Sequence, residues 1–272
     1  MTDDNLSPEE LARRKIAARE AREQLAREIL ASQQGEELTA SPLARVRRLA
    51  FEITGIWEGS AGYASFQTYD RGLISYGRHQ VTLASGNLEK VLSAYISSSQ
   101  DERAQRVAGY LDRVRRMDPA LREDATFREA LVAAAEDPAM QEAQDATIIS
   151  GFWEPALGSA TDRGIEAPLA LAFLFDTAVQ HGPYHRFLVE AEEASGVESR
   201  SRVGENGLTQ EELIAKVADL RLASLRSLAE RENLFGVIPR GEFWVALIAA
   251  ADWDLRGQDG VLRVKDRDLR LN

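Results

Sequence analysis

The chain has 272 residues, 44% hydrophobic and 28% charged, with a net charge of −11. That is enough apolar material for a sizeable core, and the acidic balance argues against general nucleic-acid or anionic-membrane binding, which favour basic patches. The absence of cysteine removes disulfides, thiolate catalysis and Cys-type zinc sites.

No run approaches the ~20 apolar residues of a membrane span, so no membrane insertion is expected. The start, MTDDNLSPEELARRK, has acids where a secretory signal needs a basic region. The expectation is a cytoplasmic protein or one exported by a non-classical route.

Residues 8–31 read as a helix. Ser7 is the N-cap, Pro8 suits the first helical position and Glu10 completes a capping box. Its large apolar residues are too few for a firmly buried helix, so it reads as a solvated arm able to dock a protein partner. Residues 32–41 form a linker, which puts the domain boundary at 1–40 and 41–272. Ser41-Pro42 repeats the cap-plus-proline signature, and Leu43, Val46, Leu49, Ala50 and Ile53 follow at helical spacing. That helix should end close to Glu58.

The stretch from Trp57 to Gln80 is glycine-rich, with Tyr63, Phe66, Tyr69 and Tyr76 spaced by small or polar residues. It predicts a short β-hairpin. Further helices are expected over Gly86–Ser97, 101–116, Pro119–Glu136 and from Asp137-Pro138 toward Trp153 and beyond. On 101–116 the apolar face is Val107, Tyr110, Leu111 and Val114. On the next helix it is Leu121, Phe127, Leu131 and Val132. A turn is expected around Arg163-Gly164. Pro168 to His181 is apolar nearly all round and too short to span a membrane, so it reads as the central buried helix. Its one acid, Asp176, needs a partner, most simply an arginine, because an unpaired buried carboxylate is costly. That pair is either structural or a support for a catalytic cleft. A long helix over Leu208–Arg231, capped by Thr209 with Glu212, a loop at Phe235–Ile238, a helix over Pro239–Ala251 and a strand or hairpin over Gly260–Leu271 complete the chain.

The predicted class is mainly α (α+β), with one small β element near the start of a helical domain built around one buried helix. That ordering is the layout of the lysozyme-like fold. Two carboxylates, Glu58 and Asp70, flank the hairpin start. Two carboxyls across a cleft are the minimal equipment for hydrolysing a glycosidic bond. Trp57, directly before Glu58, supplies an aromatic neighbour of the kind that desolvates a carboxyl toward general-acid range. Asp70 before Arg71-Gly72 is equally at home as a turn residue. His181 and His185 are four apart, but Gly182-Pro183 interrupts the helix between them, so neither a metal site nor a cofactor is expected.

Three ordered motifs carry a resemblance: Gln141-Glu142-Ala143-Gln144-Asp145, Trp153-Glu154-Pro155-Ala156, and Asp176 to His181-Gly182. With them, residues 45–256 resemble the bacterial chitosanases of the lysozyme superfamily. The resemblance implies an inverting hydrolase of a β-1,4-linked amino-sugar polymer, with Glu58 as acid and Asp70 as base. Gly72-Leu73-Ile74-Ser75-Tyr76 is similar to the family strand that follows its catalytic Asp. Aligned on that strand without a gap, Asp70 falls on the family's water-positioning Thr and Ser65 on the Asp. Aligned on Asp70, Ser75 takes the water-positioning place. The family's buried Asp, paired to arginines, matches Asp176, with Arg221 and Arg240 as partners. Tyr69, Arg71, Tyr76, Arg78, His79 and His181 are the candidate substrate contacts.

The alternatives are a lysozyme-type peptidoglycan hydrolase, for which the strand from Ile74 to Gln80 has some similarity to phage lysozymes, a glycan-binding module without turnover, and an assembly protein docked through the N-terminal helix. The candidate partner is an amino-sugar polysaccharide; no nucleic acid is expected.

Overall fold

The structure is a computed structural model that describes residues 42–58, 62–69 and 72–271. The expected helix over 8–31 and the linker after it lie outside those residues. A compact unit runs from Val46 to Asn272. It is mainly helical with two small antiparallel sheets, a lysozyme-like α+β architecture.

Helix α1 spans Pro42–Glu58, with proline in its first turn and Val46, Leu49, Ala50, Phe51, Ile53 and Thr54 buried. A turn of 3-10 helix leads to three two-residue strands, β1 (Phe66–Gln67), β2 (Ser75–Tyr76) and β3 (Val81–Thr82). β2 is central: Tyr76 pairs with Phe66 on one side and Val81 on the other. The expected hairpin is therefore a small meander, because Arg78 to Gln80 turn the chain back for a third strand.

Helix α2 spans Asn87–Ser98. The single helix expected over 101–116 is two, α3 (Glu102–Ala108) and α4 (Leu111–Arg115), divided at Gly109-Tyr110. The helix expected over Pro119–Glu136 is also divided. Asp124 is extended and its side chain accepts from the Phe127 N–H at 3.0 Å, so it caps a new helix, α5 (Ala125–Ala134), after a 3-10 turn at Pro119–Glu123. Val132, expected on the apolar face, is 39% exposed.

Asp137 caps α6 (Pro138–Ile148), and a π turn at Ile149–Trp153 carries it into α7 (Glu154–Arg163). Gly164, at φ 72°, ends α7 in the left-handed conformation that glycine adopts without penalty.

Helix α8 is Pro168–His181, and every residue from Leu169 to Ala178 is buried. It forms the centre of the unit. Phe175 stacks on Phe51 of α1 at 4.8 Å and meets Trp153 edge-on at 5.7 Å. Sequence reading passed over α9 (Arg186–Ala194). Its Glu192 is buried in a bidentate pair with Arg163 of α7, at 2.6 and 3.1 Å. Helix α10 (Gln210–Glu232) starts on the predicted capping box of Thr209 and Glu212, and α11 spans Ile238–Ala249. The chain closes with an antiparallel hairpin, β4 (Val261–Val264) and β5 (Arg267–Arg270), whose Leu262 and Val264 face the core. Among the described residues no helix is long and apolar enough to cross a membrane.

Candidate active site

Asp176, fully buried on α8, organises the site. A carboxylate there needs several donors, and three helices supply them. Arg221 of α10 donates at 2.5 Å. Arg240 of α11 donates through Nη2 at 2.9 Å and Nε at 3.1 Å. Trp244, one turn after Arg240, donates its indole N–H at 2.8 Å. Thr54 of α1 donates its hydroxyl at 3.0 Å. Burial alone pushes the Asp176 carboxyl up, but Arg240 and Arg221 outweigh it and hold it at about 2.

The network reaches the surface at two points. Arg240 also donates to Glu58 Oε1, so one guanidinium ties the last residue of α1 to the buried acid. Thr54 and Glu58 are four apart and lie on one face of α1, which is why both meet the same network. The Glu58 side chain is 18% exposed. Among the described residues Oε2 has no hydrogen-bond partner. At the other end Arg221 donates to Thr177 at 3.2 Å and to Gln180, in the last turn of α8.

The β2–β3 turn packs against α1. Arg78 lies so close to Gly55 that a Cβ there would stand 3.1 Å from its Nε. The Arg78 guanidinium donates to the Tyr63 hydroxyl at 3.3 Å, and that hydroxyl donates to Asp145 at 2.8 Å. Gln144 accepts from the Arg78 N–H and donates to the Tyr63 carbonyl, both at 3.1 Å. The Gln-Asp end of the first motif therefore fastens the small sheet to α6. Burial raises the Asp145 carboxyl above its ordinary value.

Of the expected substrate contacts, Tyr69 is 82% exposed and free to meet a ligand. Tyr76 and His79 are corrections. Tyr76 is fully buried and its hydroxyl donates to the Leu131 carbonyl at 2.7 Å. His79 is 5% exposed, edge-on to Phe51 at 4.9 Å, so neither side chain can touch a polymer. Both are interior because α1 and α5 cover this sheet, Phe51 of α1 against His79 and Leu131 of α5 against Tyr76. Ser75 is buried on β2. Arg78 is half-buried and braces the turn. His181 is half-buried against Phe187 at 5.0 Å, and burial lowers its imidazole to about 3. Asp70 and Arg71 lie outside the described residues.

Sequence reading missed Thr54, Gln144, Asp145, Gln180 and Trp244 as members of the site. The signal was spacing: Thr54 stands four before Glu58, Trp244 four after Arg240, and Gln180 four after Asp176.

A helix-borne glutamate, an adjoining small sheet and a buried helix under both are the arrangement of a lysozyme-like fold. The sequence model of glycosyl hydrolase family 46 matches residues 53–237, and the chain belongs to that family. A chitosanase of Bacillus subtilis (strain 168) is 27% identical over 145 residues, 50% of this chain and 51% of that protein. The chain thus matches about half the length of this curated relative. Among solved structures, a chitosanase of Gynuella sunshinyii in complex with chitotetraose superposes with a TM-score of 0.70 at 19% identity, covering 84% of this chain and 98% of that one. A mutant chitosanase of Bacillus subtilis MY002 complexed with 6 GlcN gives 0.65 at 20% identity, over 84% and 98%.

Proposed function

We propose that this protein hydrolyses a chitosan-like polymer of β-1,4-linked amino sugars with inversion, Glu58 acting as general acid and Asp70 as general base. The observation that carries the reading is the anchoring of Glu58: a carboxylate ends α1 within the family match and is fixed through Arg240 to a fully buried Asp176. Arg240 engages Oε1, so Oε2 is the oxygen that delivers a proton to the glycosidic oxygen. Asp70 would hold the attacking water on the opposite face of the sugar. Inversion asks for about 6.5–9.5 Å between the carboxyls, room for that water. Tyr69, next to Asp70, offers a ring for the sugar face. Arg71, Arg78 and His181 complete the proposed substrate contacts, and Arg221 and Arg240 the support.

The relatives named as chitosanases and the net charge of −11 both support a cationic polymer over a neutral one. The test is reducing-end release from chitosan and, separately, from cell-wall sacculi. Glu58→Gln should lower release from chitosan by about 10²–10⁴-fold with the circular dichroism spectrum unchanged. Release from sacculi alone would move the substrate to peptidoglycan. Binding without products, unchanged in Glu58→Gln, would make the protein a glycan-binding module.

A further inference from the structure

The residue beside the proposed acid is held in an unusual way. The Trp57 indole meets the Phe243 ring of α11, centroids 5.8 Å apart, and the ammonium of Lys265, 5.7 Å from the ring centroid. Its N–H is buried and has no partner among the described residues. A hydrogen bond therefore does not orient the ring; its flanking contacts do. Phe243 stands three residues after Arg240, so one face of α11 holds both Trp57 and Glu58.

Lys265 comes from the tip of the β4–β5 hairpin, between the paired Val264 and Arg267. Its φ is 58°. That is the left-handed region, where glycine or asparagine is the usual occupant of a tight two-residue turn. A lysine here bears backbone strain, and its side chain meets the indole. Val264 is fully buried and Leu262 nearly so, which fixes the hairpin on the core and the tip beside α1. The hairpin and Phe243 lie beyond the matched residues 53–237.

We propose that the β4–β5 hairpin clamps the last turn of α1, with Lys265 as a positioning residue for Glu58 that acts through the Trp57 ring. The inference rests on Glu58 being the acid. The ammonium attracts the ring face and the hairpin core supplies the anchor. With the ring held by hairpin and α11, the helix end cannot rotate, and Glu58 keeps one aim.

The test uses the full chain carrying Trp253→Phe, because Trp153 and Trp244 are buried and Trp57 then dominates quenching by acrylamide. Lys265→Met keeps the stem and loses the charge; Lys265→Arg keeps a cation. The Met variant is expected to show stronger quenching and a kcat on chitosan about tenfold lower, with KM nearly unchanged, since a small misplacement of a reacting group acts on the chemical step. The Arg variant should restore both, and the Met variant's melting temperature should stay within about 3 °C of the parent. Parental quenching and kcat in the Met variant would overturn the clamp. So would a loss confined to KM, which marks a substrate contact, or an equal loss in Lys265→Arg. Should the Met variant not fold, Lys265→Gly, which relieves the turn, takes its place with the same expected losses. If the parent releases nothing from chitosan or from sacculi, the acid reading fails, and quenching still decides whether the hairpin holds Trp57.

Discussion

Burial lowers all three histidines, His79 and His181 to about 3 and His185 to about 4. Each is neutral in the folded protein at neutral pH. In the unfolded chain each takes up a proton near pH 6.5. Between that value and its folded one, only the unfolded form gains the proton, so stability falls as pH drops. For His79 alone the loss at pH 4.5 is about 2–3 kcal/mol. Urea midpoints should decline from pH 7 to 4.5, and His79→Leu should flatten the decline. Asp176 acts in a lower window: its carboxyl is held at about 2, and the stability it contributes is present above about pH 4 and lost as pH falls through 2. At this scale the sequence was readable where a residue violated its surroundings. One acid in an apolar helix demanded cations, and Arg221 and Arg240 are there. It was not readable where the partner came from a distant polar residue of ordinary type, as with Gln144 on the Arg78 N–H.

Helices announced themselves by cap and proline. Pro42, Asp137-Pro138, Pro168 and the Thr209–Glu212 box all stand where predicted. The errors arose where a cap sat inside an unbroken periodic run, since Asp124 divides a pattern whose apolar positions continue across it. The small sheet depends on one close approach. A Cβ on Gly77, at φ 82°, would stand 2.2 Å from Gln144 Oε1. Gly77→Ala should therefore push Gln144 away from the Arg78 N–H and cost about 1–3 kcal/mol, measured by urea denaturation. The larger test is Asp176→Asn, which leaves two buried guanidiniums short of an anion and separates α1, α8, α10 and α11. The expected loss is about 3–5 kcal/mol by the same measurement.

At the scale of the whole molecule, fold class was legible because the order of elements is distinctive: a helix ending in an acid, a small sheet, then helices around one apolar helix. What stayed hidden was which side chains the surrounding helices cover, as with the candidate contacts Tyr76 and His79. The net charge of −11 makes a further expectation. A polycation is drawn to an acidic protein, so raising salt from about 0.05 to 0.5 M should raise KM on chitosan severalfold and change kcat little. Arg240 carries a final consequence, because a single side chain serves both the proposed chemistry and the interior. Swapping Glu58 for an uncharged amide removes a negative charge from beside a guanidinium that also grips α8. The silenced enzyme is thus a softer protein than its parent, and complexes trapped with it are best prepared cold.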